Sequence, residues 1–179
     1  MILTAEKLAT MYACPIDRAR IFSVPLSTAM ELHDINTVQR QSTFLAQVGH
    51  ESGRLRYVRE IWNPSMCPWQ VRYEGRKDLG NIIPGDGFLY RGRGLIQITG
   101  RANYKSCGLK LNLPLIDHPE YLEQPIYAAT SASWFWSTHN LNHYAEIDDF
   151  ETITRRINGG MNGYDDRLQL WERIKKILS

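Results

Sequence analysis

What the chain has little of narrows it first. Cysteine occurs three times in 179 residues, as Cys14, Cys67 and Cys107, with no CxxC and no Cys/His ligand pattern. An odd number at wide spacing argues against a disulfide framework and against a zinc site. Thiols left free suggest synthesis in a reducing compartment. No run approaches the roughly 18 to 20 apolar residues that a bilayer-spanning helix needs. The opening MILTAEKLATMYACP lacks the basic start and apolar stretch of a signal peptide. Charge of one sign is also missing: 21 Lys and Arg stand against 19 Asp and Glu, a net charge of +2 with a pI near 8.4. That is too weak to argue for nucleic acid, although it slightly favours an acidic partner. There are no repeats and no low-complexity tracts, and 43% hydrophobic residues suffice for a core. The expectation is one domain over residues 1–179.

What is present is mostly helical pattern. Thr4 is placed to cap a helix over residues 5–12. Ile35, Val38, Phe44, Leu45 and Val48 keep helical spacing, with Asp34 or Asn36 as the cap and Gly53 as the stop. A third helix follows Pro125 through Ala128, Ala129 and Ala132, and Leu168, Trp171, Ile174 and Leu178 stripe a fourth at the C-terminus. Asp165 and Asp166 at the start of that last helix and Lys175 and Lys176 near its end suit the macrodipole. Between the helices, EGRKDLGNIIPGDGFLYRGRG is rich in turn formers, and the LIQIT after it alternates as a short strand. The expected class is α+β, mostly α-helical, with a small β-lobe and a cleft between the two parts.

Two glutamates stand out in FLAQVGHESGRLRYVREIWNPS, Glu51 and Glu60. On one unbroken helix they would lie on opposite faces, about 13.5 Å apart along the axis. If the helix stops at Gly53, the chain turns back and sets Glu60 across from Glu51. Glu51 would then occupy the last helical turn, where the dipole favours the protonated acid, while Glu60 beside Arg59 suits the charged base. Two acids with environments pushed apart form the pattern of glycosidic hydrolysis. From spacing alone, two solvated charges remain the plainer alternative. Glu74 in a nearby loop competes with Glu60 for the base role, and His50 lacks the second histidine of a zinc-protease motif.

Longer motifs add a resemblance. YRGRGLIQITGRANY at 90–104, HESG at 50–53 and ITRRINGGMNGYDDR at 153–167 resemble, in order and spacing, the blocks of glycoside hydrolase family 19. LTAEKLATMY and INTVQRQSTFLAQVGHESG resemble the bacteriophage endolysins of that family. The resemblance covers nearly the whole chain. It implies a lysozyme-like bilobal fold with Glu51 as general acid, Glu60 as general base and Thr99 helping Glu60 hold the attacking water. Gln97 and Asn103 would bind sugar hydroxyls and acetamido groups, and Asn158 and Arg167 would line the far side of the cleft. Tyr90 and Tyr104 would shape the wall or stack on sugars, and His50 would sit beside the site. On a strand, Gln97 and Thr99 would face the same side.

The family's phage branch implies hydrolysis of β-1,4 bonds in bacterial peptidoglycan, with inversion and with no metal or cofactor. Plant chitinases of the family separate the two acids by a longer insertion, whereas eight residues separate them here. The rivals are a chitinase, a lytic transglycosylase needing one acid, and a membrane-disrupting protein working through its basic C-terminal helix. Packing of that helix on the core is the preferred reading, with contact to anionic outer-membrane lipid as a secondary role. The remaining expectations are a monomer without nucleic-acid partner or separate wall-binding module. It would be made in the host cytoplasm and would reach the wall once the inner membrane is opened.

Overall fold

A computed structural model describes residues 2–179. Helix α1 (Ala5–Tyr12) begins where Thr4 accepts a hydrogen bond from the Lys7 amide at 3.2 Å, as the sequence predicts. Helix α2 (Ile16–Leu32) carries Pro25 in its middle. An interior proline costs a helix about 3 kcal/mol. Ala19, Phe22, Leu26, Ala29 and Met30 nevertheless fall at helical spacing and are buried, largely against α6. Burying each large side chain contributes about 1.5–3 kcal/mol, so the stripe outweighs the proline.

Helix α3 (Val38–Glu51) is the central element. Its cap is Thr37, which accepts from the Arg40 amide at 3.2 Å, and neither Asp34 nor Asn36 serves. Residues 41–49 are all buried, so the helix is enclosed on every side. Gly49 allows this: a Cβ there would lie 2.6 Å from the Tyr12 ring, whose hydroxyl donates to the Leu45 carbonyl at 2.7 Å. After Ser52 the chain reverses through Gly53, Arg54 and Leu55, all with φ between 56° and 64°. A left-handed conformation costs a non-glycine residue about 1–2 kcal/mol, so this turn is strained at Arg54 and Leu55. Burial of Leu55 and the bond from its amide to Ser52 Oγ at 2.8 Å hold it.

The smaller lobe carries less β-structure than the alternation suggests. LIQIT is not a strand but a tight turn closed by Arg93 and Ile98, which exchange backbone bonds of 3.1 and 2.7 Å. Leu95, Ile96 and Ile98 are all buried, and Gln97 has φ 60°. Among the described residues, pairing amounts to two isolated bridges, Arg59 with Arg93 and Arg93 with Ile98. Alternation alone does not sustain a strand without a neighbour of matching length. The rest of the lobe is 3₁₀ turns at Pro68–Tyr73 and Lys77–Leu79, the short α4 (Asp86–Leu89) and α5 (Arg101–Leu111).

Helix α6 (Pro125–Thr138) starts at its proline as expected and divides the core. Ala128, Ala129, Ala132 and Trp136 join the large cluster with α1, α2 and α3. Trp134 faces the other cluster, with Tyr90, Ile98, Tyr104 and Cys107. Two cores meeting at one helix give the bilobal, mostly helical architecture. Helices α7 (Leu141–Glu146) and α8 (Phe150–Asn158) lead to α9 (Tyr164–Leu178), which packs on α3. Leu170 and Ile174 of α9 are buried, so its apolar stripe serves the core, while Arg173 and Lys176 are exposed. Among the described residues no helix is long and apolar enough to cross a membrane.

Candidate active site

The left-handed turn does what the two-acid reading requires. Glu51, the last residue of α3, and Glu60, nine positions on, line one cavity of about 240 Å³ with Tyr57, Arg59, Ile61 and Gln97. Gln97 also lines a second hollow of about 250 Å³ with Thr99, Asn103, Trp134, Phe135 and His139. On the opposite side Glu60 and Tyr57 belong to a third, of about 490 Å³, with Trp62 and Arg91. Gln97 and Glu60 thus link the cavity that both acids line to two further hollows.

Different elements hold the two carboxylates. Glu51 Oε1 accepts from Arg167 Nη2 at 2.5 Å, and the guanidinium is itself buried at 1% exposure. Arg167 thus sits behind Glu51 rather than on the far wall of the cleft. This corrects the sequence expectation, because a side chain that is 1% exposed cannot line the far side of a cleft. Glu60 Oε2 accepts from the Gly92 amide at 3.1 Å, while Oε1 accepts from Gln70 Nε2 at 3.0 Å and lies 3.5 Å from the Tyr73 hydroxyl. Burial first, and then the Glu60 charge, push the Tyr73 phenol up, so it stays a donor toward that carboxylate.

Arg59, expected to favour a charged Glu60, is engaged elsewhere, and so is Arg54. Arg59 bonds Glu123 at 3.2 Å, and Arg54 is bidentate to Asp166. Glu74, the rival base, spends both oxygens on the amides of Gly85 and Gly87, at 2.6 and 2.9 Å. Glu74 does not line the cavity of Glu51.

Gly92 is where backbone must come close. A Cβ there would stand 2.7 Å from Gln97 Oε1 and 3.3 Å from Thr99 Oγ1. One glycine thus holds Glu60 through its amide and receives Gln97 and Thr99 against its α-carbon. Thr99 and Gln97 are brought together by the tight turn rather than by a strand face. Gln97 Nε2 donates to the Gly94 carbonyl at 2.9 Å, and Asn103 Nδ2 donates to the Thr99 carbonyl at 2.7 Å. His50 is tied by Nδ1 to Asp166 at 2.6 Å and lies against Gly163, which makes it a support of the acid's helix. Asn158 ends α8 with its Nδ2 buried and, among the described residues, without a hydrogen-bond partner.

Tyr90 and Tyr104 are corrections. They are 1% and 0% exposed, and their rings pack on each other with centroids 5.2 Å apart. Their hydroxyls donate to the Ile116 and Arg91 carbonyls at 2.9 and 2.6 Å. Two large aromatics in a Gly-rich loop read equally well as a sugar platform or a core, and the smaller lobe needed them as its core. Gln70, Tyr73 and Asp166 went unnoticed as parts of the site. None of them left a signal in the sequence: Gln70 stands between Trp69 and Val71, and only the structure shows that it is buried while both neighbours are exposed. Among the described residues no group of three or more His, Cys, Asp and Glu is placed to hold a metal ion.

Known proteins share both sequence and shape. The sequence model of glycoside hydrolase family 19, described as chitinase class I, matches residues 12–149. A family 19 domain-containing protein of Haemophilus influenzae is 34% identical over 166 residues, 78% of this chain and 80% of that protein. An endochitinase of Arabidopsis thaliana is 39% identical over 121 residues, 66% of this chain but 38% of its own length. The chain therefore spans well under half of that plant relative. A bacterial family 19 chitinase superposes with a TM-score of 0.78 at 24% identity, covering 100% of this chain and 96% of that one. For chitinase C from Streptomyces griseus the TM-score is 0.74 at 23% identity, over 99% and 76% of the two chains. With its family model matched over most of its length and two acids facing one cavity, the chain belongs to glycoside hydrolase family 19.

Proposed function

We propose that this chain hydrolyses β-1,4 bonds of bacterial peptidoglycan, between N-acetylmuramic acid and N-acetylglucosamine, with inversion, as a bacteriophage endolysin. The observation that carries the chemistry is the single cavity shared by Glu51 and Glu60. Glu51 gives its proton to the leaving glycosidic oxygen as the C–O bond breaks. Glu60 takes a proton from a water whose oxygen bonds the anomeric carbon from the opposite face. Inversion needs carboxyls roughly 6.5–9.5 Å apart so that this water fits. The Thr99 hydroxyl already donates to the Gln97 carbonyl at 2.9 Å. It therefore meets the water as an acceptor, and the water's second proton points at Thr99 while the first goes to Glu60. Gln97, Asn103 and Asn158 would hold the sugars; the first two line the hollows, whereas Asn158 Nδ2 is buried and must turn outward to reach one.

The choice of peptidoglycan rests on the endolysin-like opening segments and on the eight residues between the acids. Release into the wall after the inner membrane is opened, and a secondary contact of α9 with anionic lipid, belong to the same proposal. The relatives named endochitinases favour a second reading, hydrolysis of N-acetylglucosamine polymers by the same residues. Mass spectrometry of fragments from purified peptidoglycan and from chitin oligomers decides between them. Reducing muramic ends support the first reading, products from chitin alone support the second, and anhydro ends would make the enzyme a transglycosylase. Glu51→Gln and Glu60→Gln should each lose activity by orders of magnitude while Glu74→Gln keeps it. Retained lysis by Glu51→Gln would remove the acid assignment.

A further inference from the structure

Among the described residues Arg167 is the single buried cation on Glu51, and its orientation is not self-evident. A guanidinium can turn its fork toward any acceptor within reach. Here a wholly buried chain of bonds dictates where it points. The Thr154 hydroxyl donates to the Phe150 carbonyl at 2.9 Å, one turn back in α8. Its proton is thereby committed, so the group beside it must be a donor. That donor is Gln47 Nε2, at 2.9 Å. With the amide nitrogen fixed on Thr154, the amide oxygen faces Arg167 Nη1 at 2.6 Å. Nε of Arg167 donates to the Asn162 carbonyl at 3.2 Å, which leaves Nη2 for Glu51 at 2.5 Å. Gln47 and Thr154 are each 0% exposed, so no solvent competes for the bonds that join Thr154, Gln47 and Arg167.

We infer that Gln47 and Thr154 form a positioning relay, in which the Thr154 hydroxyl fixes the Gln47 amide and the amide directs an undivided Arg167 charge onto Glu51. This rests on Glu51 being the acid. A glutamine at position 47 is essential to the device because it is neutral. A carboxylate there would draw on the same guanidinium and share its charge. The other titratable groups around Glu51 are engaged with other partners or lie across the cavity. Asp166 of α9 is held by Arg54 and His50, Arg59 is held by Glu123, and Tyr57 and Glu60 face Glu51 over the hollow. None of them supplies a second cation to Glu51.

Gln47→Glu, Thr154→Val and Thr154→Ser test this, with the pH profile of kcat on soluble glycan oligomers as the readout and thermal unfolding as the control for folding. In Gln47→Glu the guanidinium is shared between two carboxylates instead of one. The alkaline limb of kcat should then move up by about one pH unit, with KM within twofold. Thr154→Val frees the amide to turn over and should lower kcat several-fold at unchanged KM, whereas Thr154→Ser keeps the donor order and restores it. If Gln47→Glu does not fold, the Thr154 pair decides alone. Wild-type kcat in Thr154→Val, or a Gln47→Glu protein whose alkaline limb stays in place, overturns the relay. Glu51→Gln, measured alongside, separates this from failure of the acid assignment itself: an active Glu51→Gln removes the acid, while an inactive one beside an unmoved limb removes only the relay.

Discussion

Gly159 and Gly163 are a matched pair of perturbations four residues apart. Both have left-handed backbone, with φ of 73° and 70°. A Cβ on Gly159 meets nothing within 4 Å, whereas on Gly163 it would stand 2.2 Å from His50 Cε1 and 2.3 Å from Nε2. That ring cannot simply swing away, because Nδ1 is bonded to Asp166 at 2.6 Å. Gly159→Ala should therefore cost only the conformational strain, about 1–2 kcal/mol. Gly163→Ala adds overpacking of about 1–3 kcal/mol, giving roughly 2–5 kcal/mol together. For a domain of this size each kcal/mol moves Tm by about 2–4 °C. The first variant should thus melt roughly 2–8 °C lower and the second roughly 4–20 °C lower. Calorimetry or circular dichroism on both gives the difference, which isolates the His50 contact. Gly163→Ala should also lower kcat, since His50 immediately precedes Glu51 in α3, while Gly159→Ala should not lower kcat through His50. Equal Tm losses and wild-type kcat in both would refute the reasoning.

Other expectations follow from the same geometry. The Arg54 guanidinium first, and His50 as well, hold the Asp166 carboxyl below its usual range. Because the folded value is depressed, this stability is present above the unfolded value of about 3.9 and disappears as pH falls through the folded one. Asp166 is 34% exposed, so solvent screening reduces the gap between wild type and Asp166→Asn to about 1 kcal/mol at pH 7. Urea melts from pH 7 to pH 2 should show that gap closing below about pH 4, and a constant gap would contradict the ion-pair account. In Gly92→Ala the new methyl meets Gln97 Oε1 at 2.7 Å, so KM on oligosaccharides should rise by a larger factor than kcat falls. Tyr104→Phe deletes a buried hydroxyl bonded to Arg91 and Arg93, at a cost of about 1–3 kcal/mol in unfolding and no change in KM. A raised KM with unchanged stability would return that ring to the cleft wall.

Local rules placed α1, α3, α6 and α9, since Thr4, Pro125 and the apolar stripes act within a few residues of themselves. The stop at Gly53 was equally legible, and with it the chance that Glu51 and Glu60 meet. The cap at Thr37 instead of Asp34 or Asn36 is a shift of a few residues, the scale on which helix ends are least defined. The α2 helix escaped notice because its proline argues locally against a helix, while the burial that sustains it comes from α6. The LIQIT alternation failed for the converse reason: Leu95, Ile96 and Ile98 are all buried, adjacent residues included, and among the described residues no long strand lies beside them.

Residue types and their order in the chain thus determined the family and the mostly helical class and singled out Glu51 and Glu60 as candidates, because these depend on motif order and on short-range periodicity. Which groups surround each acid was decided only when distant segments met. Arg167 lies 116 residues from Glu51, and Gly92 lies 32 from Glu60. The same folding took Tyr90 and Tyr104 out of reach of any sugar. A side chain's role depends on which atoms it faces and on how much water is left around it, and neither quantity exists until the lobes have closed on one another.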